Sequence, residues 1–354
     1  MKNAELRENK VLKSLVDEYI KAKTPISSKT ICEGDDQKVS TATIRNELLK
    51  LEQRGLIFQP HTSAGRIPTI PGYREYLKIM SKEIEKTNYE KTDFLKSLLI
   101  NNYRDIPLSL HYIKQLLAKE TDLLTFVAEP EISYDTLQKL DVFKITNDKL
   151  LFVISLASGM DKTVVIKPDF EISEQQLKVA VRYINDELGS MRIYDIQNKY
   201  IEEMSEKWVK ENKLLTLFMK EFYYALFEMN NYFIHFDSNI EFLEQPEFDT
   251  KNIIMLFLNL MQRQDMLVNI MHKYWSQESG VKNQDWRVIL GEEFGNPEWA
   301  DFGLIYSKYE IFDIPGYLGV IGPSRMDYKN LIPKVRDIAK IITETTKQGM
   351  MVVK

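Results

Sequence analysis

Cysteine and histidine are scarce in this 354-residue chain, which has one cysteine, Cys32, and four scattered histidines, His61, His111, His235 and His272. A single cysteine excludes an internal disulfide and a multi-cysteine metal site, and it indicates a reducing compartment. No two histidines have the H-x-x-x-H spacing of a zinc site, and none lies near Cys32 in the sequence. We therefore expect no metal and no cofactor.

Long apolar runs are also missing. The longest, near Ile253–Leu260, is interrupted by Asn259 and falls well short of the ~20 apolar residues that cross a bilayer as a helix. The N-terminal sequence MKNAELRENK is polar and has no apolar signal segment. These absences predict a soluble, cytoplasmic protein that does not interact with membranes.

Motifs for catalysis are absent as well. The chain has neither of the glycine-rich phosphate-binding motifs, G-x-x-x-x-G-K-S/T and G-x-G-x-x-G. Aspartate and glutamate are numerous, but that is usual for a chain in which 28% of the residues are charged. We therefore expect a protein that is not an enzyme.

Positive charge is concentrated in one segment of an acidic chain. The whole chain has a net charge of −5, whereas residues 38–82 contain eight Lys or Arg against three Glu. A small basic segment on an acidic protein indicates a local binding site for a polyanion.

The basic segment has the pattern of a helix followed by a hairpin. Ser40 occupies an N-cap position, helical spacing places Ile44, Leu48 and Leu51 on one apolar stripe, and Gly55 is suited to end the helix. Two short apolar runs then flank a turn, which predicts a hairpin with a basic tip that includes Arg66. Because two helical patterns precede this unit, residues 1–82 are predicted to form a winged helix-turn-helix domain with a helical connector.

Eight polar side chains of this unit are candidates for contacting DNA. Three of them point away from the apolar stripe of the helix, three lie at its start, where a recognition helix first meets base edges, and two lie in the hairpin. They are Arg45, Asn46, Lys50, Ser40, Thr41, Thr43, His61 and Arg66. Turn packing is an alternative for His61, and an amphipathic helix with ordinary solvated charge is the alternative for the whole segment.

The segments VSTATIRNELLKLEQRGLI and PHTSAGRIPT closely resemble the HrcA family, the heat-inducible repressors of bacterial chaperone operons. The block from Gly322 to Tyr328 resembles the family's Gly-Pro-Ser/Thr-Arg-Met-x-Tyr motif, and Gly291-Glu292-Glu293 also matches, although Phe294 stands where the family has Asn. The resemblance implies a homodimer that binds an inverted-repeat operator of double-stranded DNA, is inactivated by heat, and has the GroE chaperonin as a partner.

Two β-rich blocks, at 140–166 and 286–321, are separated by more than 100 residues of largely helical sequence. This pattern predicts an α+β multidomain protein in which one α+β domain carries an insertion. The resemblance implies that the interrupted domain is GAF-like, formed by 89–171 and 276–354, and that 172–275 is a mostly helical inserted dimerisation domain. Apolar residues wrap most of the helix predicted at 214–229, which indicates a partner surface, with a buried core as the alternative.

The C-terminal block permits two interpretations. Ser324 could cap the last helix and leave a helix N-terminus that binds an anion, or Arg325 and Asp327 could tie this corner to a neighbouring element.

Two functions follow from the sequence as a whole. The first is a heat-inducible repressor of chaperone operons, and the alternative is a ligand-sensing winged-helix regulator with a metabolite in its GAF-like domain.

Overall fold

The computed structural model describes residues 2–33, 40–101, 106–200, 213–229, 234–276 and 284–352. Its helices are α1 (Lys2–Ala22), α2 (Ser28–Glu33), α3 (Thr41–Gln53), α4 (Ile70–Lys86), α5 (Thr92–Asn101), α6 (Ile106–Thr121), α7 (Glu174–Leu188), α8 (Lys213–Met229), α9 (Lys251–Gln262), α10 (Gln264–Ser276) and α11 (Tyr328–Val352). Its strands are β1 (Ile57–Phe58), β2 (Ile67–Pro68), β3 (Leu124–Ala128), β4 (Leu137–Thr146), β5 (Lys149–Leu156), β6 (Lys162–Ile166), β7 (Ile234–Asp237), β8 (Arg287–Leu290), β9 (Phe302–Ile311) and β10 (Ile314–Pro323). No helix in these ranges combines the length and hydrophobicity needed to span a membrane.

The N-terminal module consists of α1 to α4 with the β1–β2 hairpin. The Ser40 hydroxyl accepts a hydrogen bond from the backbone N–H of Thr43 at 3.2 Å and caps α3, as expected. The stripe of Ile44, Leu48 and Leu51 is buried in the module's core. β1 and β2 pair in antiparallel register, so the predicted order of a helix and a hairpin is confirmed.

Helix α4 joins this module to the rest of the chain. Its buried Tyr73 and Tyr76 lie against Tyr328 of α11, with ring centroids 6.0 and 6.4 Å apart. Apolar contacts continue from the core of the module along α4 to α5 and α11 without interruption. The module is therefore packed onto the body rather than tethered to it.

The body, which comprises residues 87–128 and 234–352, is built on a five-stranded antiparallel sheet with the order β7-β3-β10-β9-β8. Along β10, Leu318 and Val320 belong to the core shared with α5 and α11, while Tyr317 and Ile321 belong to the core shared with α9 and α10. Because helices cover both faces, the strands are apolar on both sides, and this explains the continuous apolar runs of β9 and β10.

Strands β4, β5 and β6 form a separate three-stranded sheet and do not join the body. Alternate residues of β5 are buried against α7 and α8, and the ring of Phe152 stacks on Phe218 at 5.5 Å. The chain thus leaves the body after Ala128 and re-enters it at Ile234, and we call the described residues between these points, 129–200 and 213–229, the insert.

The expected limits at 172 and 275 do not coincide with these cores, because 137–166 shares its core with α7 and α8, whereas α9 and α10 pack on the body sheet.

One face of helix α8 agrees with the alternative of a buried core, while its other described side chains are partly or half exposed. Phe218, Phe222 and Leu226 are buried under the three-stranded sheet, and Tyr224 is half exposed. The buried face of α8 packs on the three-stranded sheet, where Phe218 contacts Phe152.

Glu129 ties the insert to the body. Its carboxylate lies 2.8 Å from the amine of Lys162 in β6 and 2.8 Å from the imidazole Nε2 of His235 in β7. Burial acts to raise the pKa of Glu129, but the hydrogen bonds from His235 and Lys162 outweigh it and hold this pKa below its ordinary value.

Glu129→Gln is expected to lower the free energy of unfolding by about 1–3 kcal/mol at pH 7, because it removes a charged acceptor from a mostly buried site. A carboxyl group whose pKa is depressed by folding stabilises above its unfolded pKa of about 4.3, and that contribution is lost as the pH falls through its folded pKa. The difference between the variant and the unchanged protein should therefore shrink as the pH falls below about 4.3 and disappear below the folded pKa. Urea unfolding over a series of pH values measures it, and a loss that does not change with pH would contradict this account.

Candidate nucleic-acid interface

One face of α3 is exposed along its whole length. The positions follow helical spacing, and they are Ala42, Arg45, Asn46, Leu49, Lys50 and Gln53. The three side chains predicted to point away from the apolar stripe, Arg45, Asn46 and Lys50, all lie on this face. They form a polar, basic surface that can present two cations and one amide to a ligand.

The cations of this face are held by contacts that leave them accessible. Nε of Arg45 donates to the hydroxyl of Ser28 at the start of α2, at 3.4 Å. The amine of Lys50 lies 3.0 Å from Glu47, and the Lys50 side chain is 51% exposed. Both side chains can therefore reach a phosphate or a base edge by a change of rotamer.

The start of α3 is organised by its own hydroxyl groups. Besides capping the helix, the Ser40 hydroxyl is hydrogen-bonded to the Thr43 hydroxyl at 2.9 Å, and Thr41 is partly buried beside them. These three residues lie together at the end of the exposed face. A helix N-terminus also favours an anion nearby, although the Ser40 hydroxyl already accepts from the N–H of Thr43.

The hairpin is held to the last turn of α3 by Arg66, and its turn is braced internally. The Gln59 amide donates to the carbonyl oxygens of Thr62 at 3.0 Å and Ala64 at 2.8 Å. His61 is exposed in this turn. A Cβ atom at Gly65 would lie 2.5 Å from the backbone of Ile26, so only glycine lets the hairpin approach the α1–α2 connection this closely.

Arg66 differs from its expected position. Its side chain is only 17% exposed, and it donates through Nε and Nη2 to the carboxylate of Glu52 in α3, at 3.2 and 3.1 Å. Its backbone pairs with that of Ile26. Because an opposite charge stands in the last turn of α3, Arg66 fixes the hairpin against that helix instead of pointing from the hairpin tip.

Sequence reasoning missed Leu49 and Ala42. Leu49 is 47% exposed on the same face as the cations. Only polar residues were considered as contacts, although apolar side chains recognise the methyl group of thymine. The signal was present in the helical spacing, which places 42 and 49 on the side of 45 and 46.

The C-terminal block forms a structural corner. Arg325 makes two hydrogen bonds to Glu247, at 2.6 and 2.7 Å, and its side chain is 10% exposed. Asp327, not Ser324, caps α11 by accepting from the backbone N–H of Asn330 at 3.3 Å. A carboxylate thus already occupies this helix N-terminus. Arg325 ties the corner to Glu247 as expected, whereas Asp327 bonds Asn330 of its own helix. Within the described ranges, no group of three or more His, Cys, Asp and Glu is arranged to hold a metal ion.

A small basic module with an exposed helix face, packed through one helix onto a larger α+β body, has the architecture of a transcription regulator. Residues 109–332 match the family model described as "HrcA protein C terminal domain", and the chain belongs to the HrcA family of heat-inducible transcription repressors, which are not enzymes.

Relatives in this family match the chain over nearly its full length. The "Heat-inducible transcription repressor HrcA" of Natranaerobius thermophilus is 30% identical over 95% of both chains. The protein of the same name from Alkaliphilus metalliredigens is 27% identical over 96% of this chain and 97% of its own. A crystal structure described as a hypothetical protein shares the fold, with a TM-score of 0.60 and 24% identity over 97% of this chain and 98% of that one.

Proposed function

We propose that this repressor binds an inverted-repeat operator upstream of chaperone genes as a homodimer, and that its N-terminal module is a winged helix-turn-helix. The observation that carries the proposal is the continuous exposed face of α3, which presents Arg45, Asn46 and Lys50 on a helix that Arg66 joins to the hairpin. Such a face fits the major groove of B-DNA, which admits one α-helix.

Each side chain of this interface has a role that its chemistry suits. Arg45 pairs with guanine and Asn46 with adenine, since these side chains match the acceptors and donors of those bases in the major groove. Lys50 and His61 contact phosphates, and Ser40, Thr41 and Thr43 hold the first turn against the DNA backbone. Arg66 acts indirectly, because its ion pair with Glu52 sets the angle between the hairpin and α3.

The insert supplies the dimer contact through the outer face of its three-stranded sheet. Phe143 and Val165 are each 56% exposed, and Ile145 is 51% exposed, on the face opposite the buried core. Strand register places Phe143, Leu151 and Val165 in one row across the sheet. An apolar sheet face of this kind is suited to cover the same face of a second copy, and a two-fold dimer matches an inverted repeat.

Heat inactivates the repressor by opening this dimer. Unfolding rates rise several-fold per 10 °C, so a modest temperature jump drains the active form without a dedicated sensor residue. The opened protein exposes the apolar sheet face and self-associates. In the cytoplasm, the GroE chaperonin captures and refolds this species, and repression lifts when other unfolded proteins occupy the chaperonin.

The alternative function is sensing of a metabolite by the body, which we propose is GAF-like. The body core argues against a ligand inside it, because aromatic rings fill the space with centroids 4.5 to 5.9 Å apart at Phe242, Phe248, Phe257, Trp299 and Phe302. A polar cleft of about 940 Å³ between the module and the body is the feature that favours the alternative. Restoration of operator binding by a metabolite, and not by chaperonin, would support it.

Binding to chaperone promoter DNA is expected to be steeply salt-dependent and lost after a brief heat step. Lys50→Gln should lower the slope of log affinity against log salt by about one, because one phosphate contact is lost. Lys78→Gln, on the exposed side of α4 and paired with Glu75, is the matched control and should leave the slope unchanged. Titration of the purified protein at several salt concentrations measures these slopes.

The loss of binding on heating is measured by footprinting before and after the heat step, with and without chaperonin and ATP. Binding that survives heating would contradict the mechanism.

A further inference from the structure

Arg74 makes a polar contact between the start of α4 and the body, beside the apolar packing of Tyr73 on Tyr328. Arg74 donates through Nε to the Glu293 carboxylate at 2.9 Å, makes a second hydrogen bond to its other oxygen, and also donates to the carbonyl of Val288 at 2.8 Å. The pair is 219 residues apart in the sequence. A two-pronged contact of this kind fixes direction as well as distance.

The loop that carries Glu293 is shaped for this contact. The backbone N–H of Leu290 donates to the Glu293 carboxylate at 2.9 Å, and the Tyr274 hydroxyl donates to the Glu293 carbonyl at 3.1 Å. Gly291 has a φ of +54°, and a Cβ atom there would come within 3.1 Å of the side chain of Ile70, the first residue of α4. The loop therefore lies directly against the point where the hairpin enters α4.

The far end of α4 has its own anchor. Arg336 of α11 donates to the carbonyl oxygens of Ile84 at 3.1 Å and Thr87 at 2.6 Å, which lie at the end of α4 and just beyond it. The first anchor lies beside the DNA-facing module, and the second lies at the opposite end of the helix. The packing of Tyr73 and Tyr76 on Tyr328 keeps α4 on the body, so releasing the first anchor permits a small rotation of α4 and not its detachment.

We infer that the Arg74–Glu293 contact sets the orientation of the N-terminal module on the body and thereby the half-site spacing that the dimer accepts. Glu293 is a positioning residue, since it acts through Arg74 and lies in a loop away from the exposed face of α3. The inference rests on the proposed operator binding.

A small pivot is enough to change spacing. The 17 residues of α4 span about 25 Å. A rotation of about 8° about one end moves the other end by about 3.4 Å, which is the rise of one base pair. In a two-fold dimer both modules move. Loss of the contact therefore reduces the difference in affinity between spacer lengths that two rigidly held modules would give.

The test uses the full-length dimer and duplexes with two identical half-sites, in which the spacer is lengthened one base pair at a time through a full helical turn. Glu293→Gln retains an oxygen that can accept from Leu290 but removes the charge that holds Arg74. We expect the affinity ratio between the best and the poorest spacer to fall about tenfold, since the effective concentration of the second module then depends less on geometry. Binding to a single half-site should not change.

Two further variants make the result specific. Glu292→Gln alters the exposed neighbour of Glu293 in the same loop and should give the spacing profile of the unchanged protein. Arg74→Lys keeps the charge but cannot form the two-pronged contact, and it should give an intermediate profile. If Glu293→Gln does not fold, Arg74→Lys decides the question.

A spacing profile that is unchanged in both folded variants would overturn the inference. Equal losses on single half-sites and on all spacers would also overturn it, because they would show a damaged module instead of a changed orientation. If the unchanged protein prefers no inverted repeat at any spacing, the proposed operator binding fails instead, and the two failures are thus distinguishable.

Discussion

Replacing Phe143 and Val165 together by lysine is expected to convert the proposed dimer into a monomer and to lower operator affinity by a factor of about 10² to 10⁴. Both side chains stand on the outer, exposed face of the insert's sheet, where a second copy would bury them. A symmetric interface would bury the two lysines of one copy against the two of the other, and these like charges would have no partner. The dimer would dissociate, and each monomer would bind a single half-site. Sedimentation and titration with single and paired half-sites measure both effects.

The matched control lies on the same unit. Val179→Lys introduces the same charge at a residue that is 65% exposed on α7, the helix that covers the other side of the sheet. It should leave the protein dimeric. If the double variant remains a dimer, the outer sheet face is not the interface, and the exposed apolar residues of α9 become the next candidates.

Loss of base discrimination is the second large effect expected. Arg45→Ala and Asn46→Ala should each reduce the preference for the operator over random DNA by about 1–3 kcal/mol, because each removes a pair of hydrogen bonds to a base edge. Lys50→Ala should weaken both DNAs alike, since a phosphate contact carries no sequence information. Parallel titrations on the two DNAs at fixed salt make the comparison, and equal losses for all three variants would remove α3 from the interface.

Leu49 extends this test to apolar contact. Its partly exposed side chain is placed to meet a thymine methyl group, and uracil lacks that methyl. Uracil in place of one operator thymine should therefore weaken the unchanged protein and leave Leu49→Ala unaffected. Equal sensitivity to uracil in both proteins would show that Leu49 does not contact the base.

The sequence alone determined the local parts of this protein. The N-cap at Ser40, the stripe of Ile44, Leu48 and Leu51, and the stop at Gly55 all depend on residues within four or five positions of one another, so they could be recognised without the tertiary structure. The same periodicity correctly placed Arg45, Asn46 and Lys50 on the exposed face. Family membership was equally accessible, because it rests on gapless blocks of sequence.

Only the tertiary structure decided which elements share a core. The three strands of the insert and the strands of the body have similar β-rich sequences, and nothing local shows that β5 buries one face under α7 and α8 while β10 is covered on both. The alternation of apolar and polar residues along a strand indicates how many of its faces are buried, but it does not identify the helix that covers each face. The expected limits of the insertion, at 172 and 275, therefore do not coincide with the boundaries of the two cores.

The partners in long-range ion pairs were likewise determined only by the tertiary structure. Arg66 and Arg74 each contribute a positive charge to the basic segment, and the sequence alone does not distinguish their roles. In the folded chain Glu52 and Glu293 engage them, so one braces the hairpin and the other anchors the module to the body. A charge is a property of one residue, whereas its partner is set by the packing of elements that lie far apart in the chain, and only the tertiary structure brings those elements together.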